Sequence, residues 1–74
     1  MWLRFKNNVL VNLEKTVKVE FSEWGPGIVF HCVDNGFKLS FADNPTRDRV
    51  FAEICKIIED NKLGIIELDY TALA

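Results

Sequence analysis

The chain has 74 residues, 49% of them apolar and 12% aromatic, with a formal net charge of -2. That length allows one domain near the lower limit for a self-supporting core, and the composition excludes a disordered chain. The slight acidity gives no electrostatic reason to expect nucleic acid or an anionic membrane as partner. No apolar run approaches the roughly 18 residues of a membrane-spanning helix.

The first predicted strand carries Leu3 and Phe5 on one face, with Arg4 and Lys6 between them. This alternation lacks the apolar core of a signal peptide, so the expectation is a soluble, cytoplasmic protein. From Val9 to Phe21 the odd positions Val9, Val11, Leu13, Val17, Val19 and Phe21 are apolar, with Lys15 the exception. The pattern predicts one long half-buried strand, or two strands with a break near Glu14 and Lys15. A two-residue turn at Asn7-Asn8 would bring Arg4 opposite Val11. A three-residue loop, Lys6-Asn7-Asn8, instead pairs Phe5 with Val9 and Leu3 with Val11, and asparagine tolerates the left-handed backbone it requires. The three-residue loop is preferred.

Trp24-Gly25-Pro26-Gly27 reads as a turn leading into the next strand. Asp34-Asn35-Gly36 is a hairpin signal, with Asn35-Gly36 suited to a type I′ turn. Pairing Asp34 with Phe37 then sets Cys32 opposite Leu39 and Phe30 opposite Phe41. Ile28, Phe30, Cys32, Phe37, Leu39 and Phe41 would share one face.

After Asn44-Pro45 the apolar period changes from two to that of a helix, predicted over about 45–62. Asn44 is the expected N-cap, with Thr46 as the alternative, and Gly64 the expected left-handed C-cap. Val50, Phe51, Ile54, Cys55, Ile57 and Ile58 form a broad apolar side, wider than the roughly 100° a small sheet requires. That surplus points to a second contact. Alternation returns at Ile65 and predicts a short fifth strand over about 65–70, with Ile66, Leu68 and Tyr70 on one face, which either adds to its own sheet edge or pairs with a neighbouring subunit.

The elements assemble into an α+β fold. The expectation is an antiparallel four-stranded meander within residues 2–42, its apolar face covered by the helix, in a single domain 1–74. The predicted core is Leu3, Phe5, Val9, Val11, Val17, Val19, Phe21, Ile28, Phe30, Cys32, Leu39, Phe41, Val50, Phe51, Ile54, Ile57 and Ile58.

Met1-Trp2-Leu3-Arg4, Leu10-Val11-Asn12-Leu13, the Asp-Asn-Gly hairpin and one closing helix resemble a group of small bacterial and phage-associated proteins. Their layout of four strands and a helix is similar to a reduced pleckstrin-homology arrangement. The resemblance spans residues 1 to about 62 and implies that fold alone, with no activity or site residue attached. The tail beyond Gly64 departs from it.

Candidate chemistry is sparse. His31, the one histidine, has Lys18 and Ser40 as expected neighbours and Glu20 diagonal to it. An open sheet surface supplies neither an oxyanion hole nor exclusion of water, so a solvated cross-strand contact is the expected role. Cys32 and Cys55 are too few and too far apart for a disulfide framework or, with His31, a zinc site, and are read as reduced core residues. Gly25-Pro26-Gly27 joins two strands rather than opening a helix, which excludes a phosphate loop. The acidic residues lie on strands or on the exposed helix face.

These readings give no enzyme, no cofactor and no metal. The favoured function is a non-enzymatic protein-interaction module that self-associates as a homodimer, with Ile65, Ile66, Leu68 and Tyr70 as candidate partner-binding residues. The alternative is a small-ligand or single-stranded nucleic-acid binder using an outer sheet face around Trp2, Arg4, Lys18, His31 and Lys38.

Overall fold

The structure, a computed structural model, describes residues 1–73. Among these residues, six strands and one helix follow one another as β1 (Trp2–Arg4), β2 (Leu10–Asn12), β3 (Thr16–Phe21), β4 (Gly27–Cys32), β5 (Gly36–Ser40), α1 (Asn44–Asp60) and β6 (Ile65–Glu67). The fold is α+β, but the strands form two three-stranded sheets rather than one meander. One sheet has the order β2-β1-β6 and the other β3-β4-β5.

The division follows from residues 13–15. The stretch predicted as one long strand is broken by a short 3-10 turn, Leu13–Lys15, where the Asn12 side chain accepts the Glu14 N–H. A side-chain oxygen capping the next turn diverts the backbone from the ladder. Upstream of the break, Leu3 lies opposite Val11, and the Phe5 N–H donates to the Val9 carbonyl at 2.9 Å. Asn8 takes the left-handed conformation that the three-residue loop requires (φ 61°).

Downstream, β3 meets β4 with Thr16 opposite Cys32 and Lys18 opposite His31, leaving Val17 as a bulge. A bulged residue leaves the ladder and its alternation, and Val17 is exposed rather than in the core. Phe21 and Ile58 are also exposed, while Val9, Val19, Cys32 and Phe51 are only half-buried. The observed core is Leu3, Phe5, Val11, Leu13, Ile28, Phe30, Leu39, Phe41, Val50, Ile54, Ile57, Leu68 and Ala72.

The β4–β5 hairpin differs in register from the expectation. Phe30 faces Phe37, not Phe41, and Leu39 faces Ile28, not Cys32. Neither Asn35 nor Gly36 has positive φ, so there is no type I′ turn. Gly36 instead opens β5 beside the Phe30 carbonyl, where a Cβ would stand 2.7 Å from that oxygen. The slip keeps every side chain on its predicted face because the two registers differ by an even number of positions. Phe30 and Phe37 gain a stacked contact, 5.0 Å between ring centroids.

Helix α1 begins one residue before the predicted start. Asp43, rather than Asn44 or Thr46, is the N-cap, its carboxylate accepting the Thr46 N–H at 2.8 Å. Hydrogen bonding from Thr46 holds this carboxyl below its usual range. The helix ends at Asn61 in the left-handed region (φ 52°), not at Gly64. Gly64, also left-handed (φ 84°), turns the chain into β6 instead. Val50, Ile54 and Ile57 make the buried stripe.

The tail closes the molecule. β6 runs parallel to β1, with Ile66 beside Leu3 and Glu67 beside Arg4. Beyond it the Leu68 N–H donates to the Arg4 carbonyl and the Lys6 N–H to the Tyr70 carbonyl, both at 2.9 Å. Asn7 grips the Ala72 backbone through both ends of its amide, and Leu73 exchanges two hydrogen bonds with Ser40 of β5. One segment therefore ties the first sheet to the second. Ala74, the last residue of that tail, lies outside the described residues.

Candidate functional site

The residues that sequence reasoning grouped on one outer face fall on two sheets. Trp2 and Arg4 belong to β1, whereas Lys18, His31 and Lys38 belong to the second sheet. Arg4 pairs with Glu67 across the β1–β6 ladder. The Lys38 ammonium donates to the Trp24 carbonyl at 2.8 Å. His31 lies opposite Lys18, as expected, but its other neighbour is Gly36, while Ser40 faces Gly27. No serine therefore stands beside the imidazole for a nucleophile–base pair.

Glu20 organises this face. Its carboxylate contacts the His31 ring and lies 3.5 Å from the Lys18 ammonium. The hydrogen bond to His31, aided by Lys18, holds the Glu20 carboxyl below its usual value. An anionic ligand would meet a Lys18 ammonium that already pairs with the Glu20 carboxylate.

Ile65, Ile66, Leu68 and Tyr70 have mixed placements. Leu68 is buried, Ile66 and Tyr70 are half-buried against the core, and Ile65 is exposed. Their backbone engages β1 and the loop after it within the same chain.

A different surface remains open. Between β3 and α1 runs a groove of about 480 Å³ whose apolar walls include Leu13, Val17, Val19, Phe51, Ile54 and Ile58. Its rim is exposed, with Val17 at 69% and Ile58 at 52% of full accessibility. Along it lies β3, an edge strand that among the described residues pairs only with β4. At the end of β3, Phe21 packs edge-on against Phe51 at 4.7 Å, and the Arg47 guanidinium lies 4.1 Å above the Phe21 ring. That aromatic and cationic stack holds the strand end against the helix while leaving Phe21 45% exposed.

Sequence reasoning missed this surface because it counted Val17, Phe21 and Ile58 as core. The readable signal was the surplus width of the helix's apolar side: Ile58 lies beyond the buried stripe. Cys55, also read as core, is exposed in the groove wall, and both thiols are free. Among the described residues, no three His, Cys, Asp or Glu side chains gather as a metal site, and no helix is long and apolar enough to cross a membrane. Comparisons with family models, curated proteins and solved structures give no match.

Proposed function

We propose that the protein is a non-enzymatic, cytoplasmic protein-interaction module that receives an extended protein segment along the free edge of β3. The carrying observation is the coincidence of an unpaired strand edge with an apolar, solvent-open groove along the same strand. An added strand satisfies the edge amides and carbonyls, and its alternate side chains enter the groove, which gives affinity and specificity together. Scattered exposed apolar residues are ordinary, but the exposed Val17 and Ile58 line one groove, and the exposed Phe21 packs on its wall residue Phe51. The tail, whose backbone is engaged with its own chain, is not the contact element in this reading.

The test is selection of random-sequence peptides on the immobilised protein, followed by NMR mapping of the binders. Binders should shift Val17, Phe51, Cys55 and Ile58 and lose binding to the I58D variant. Failure to select any binder, or mapping to Lys18, His31 and Lys38 alone, contradicts the reading. The second outcome would favour the outer-face ligand site instead.

A further inference from the structure

We infer that the segment received by β3 is β3 of a second copy, joined antiparallel about a two-fold axis through Val19. This rests on the reading of β3 as a contact edge and names its partner. The product is one six-stranded sheet of order β5-β4-β3-β3-β4-β5.

The register follows from the sequence of the strand. In antiparallel pairing, directly opposite residues point to the same side of the sheet. A register centred between two residues would therefore set the charges of one copy beside the groove residues of the other. Centring on a residue avoids this, and the middle of β3 offers three choices. Centring on Lys18 or on Glu20 opposes like charges on the axis, which is destabilising. Centring on Val19 places Lys18 opposite Glu20 of the second copy, twice by symmetry. It also brings the exposed Val17, at the bulge, to the same end as the exposed Phe21 of the second copy. From Lys18 to Glu20, where the strand is regular, each position then faces a chemically matched residue, as a two-fold interface requires.

Charges and bulges on edge strands ordinarily prevent such pairing. Here the bulge at Val17 lies near one end of β3, and the ladder with β4 is regular from Lys18 to Phe21. The two charges are opposite in sign and two residues apart. They therefore admit one register and reject its neighbours. Within one copy Lys18 and Glu20 already lie 3.5 Å apart, so the joined strands carry four charges in alternation. The edge is selective rather than closed.

Sedimentation of the full chain between about 10 µM and 1 mM, with K18E, E20K and their equimolar mixture, tests this. The wild type should show a reversible dimer. Each variant alone opposes like charges twice and should dimerise about tenfold more weakly or not at all. The mixture pairs a strand with two acidic residues against one with two basic residues and should restore a 1:1 dimer. Restoration also shows that both variants are folded, with circular dichroism as the independent check. A wild type that stays monomeric throughout overturns the inference, as does a dimer indifferent to both substitutions. Neither result touches the peptide selection, so the contact-edge reading stands or falls separately.

Discussion

Replacing Leu68 by alanine separates a tail that belongs to its own chain's core from one held in reserve for a neighbour. Leu68 is 4% exposed, packs in the core cluster, and has its N–H on the Arg4 carbonyl. A buried Leu→Ala change costs about 2–5 kcal/mol, less where the surroundings can collapse into the space. Leu68 borders a shallow surface cleft with Ile57, Lys62 and Ile66, which allows such relaxation and places the cost near 2–3 kcal/mol. A chain of 74 residues has a total stability of about 4–11 kcal/mol. With a urea slope near 1 kcal/mol/M, the midpoint should fall by about 2–3 M. L63A is the control, since Leu63 is 83% exposed, and should change stability by no more than about 0.5 kcal/mol. Because the tail contacts lie within one chain, the L68A loss should be equal at two protein concentrations. An L68A midpoint matching that of L63A would refute this placement of the tail. So would a loss that vanishes on dilution.

G36A should destabilise by roughly 1–3 kcal/mol, because its Cβ collides with the Phe30 carbonyl and backbone must move; an unchanged or raised melting temperature contradicts that close approach. N7A removes two hydrogen bonds to Ala72 and should cost about 1–3 kcal/mol. Amide exchange at Leu73 should rise before exchange in β4, and uniform acceleration would count against a local clasp. Acid should weaken the fold through Asp43 and Glu20, whose carboxyls are both depressed in the native state. Such groups stabilise fully while the unfolded chain's carboxylates are ionised. Their contribution shrinks as pH falls below the ordinary carboxylate range and is gone below the depressed native values. D43N should flatten the acid side of the stability curve, and an unchanged slope would remove the cap as its source.

The strand faces and the helix were legible because period two and period 3.6 are set by backbone geometry alone. The Leu3–Val11 register was legible because the competing loop would have buried Arg4. The division into two sheets was not, since a single capped turn at residues 13–15 leaves the alternation on either side intact. The hairpin register was equally hidden: both candidates preserve the faces, and the stacking of Phe30 on Phe37 is a tertiary preference. Asp43 was overlooked beside Asn44-Pro45, although aspartate is as good an N-cap as asparagine. At the candidate site, Val17 looked buried by alternation because a bulge changes exposure without changing sequence pattern. The lone visible clue was the extra apolar width carried by Ile58.

The joining of two copies through β3 is most directly tested by amide hydrogen–deuterium exchange of the wild type, compared between dilute and concentrated solution. Protection should increase with concentration across β3, from Val17 to Phe21, while β6 and the segment ending at Leu73 exchange at unchanged rates. Protection that instead grows in β6, or nowhere along the chain, would contradict the joining of two copies through β3.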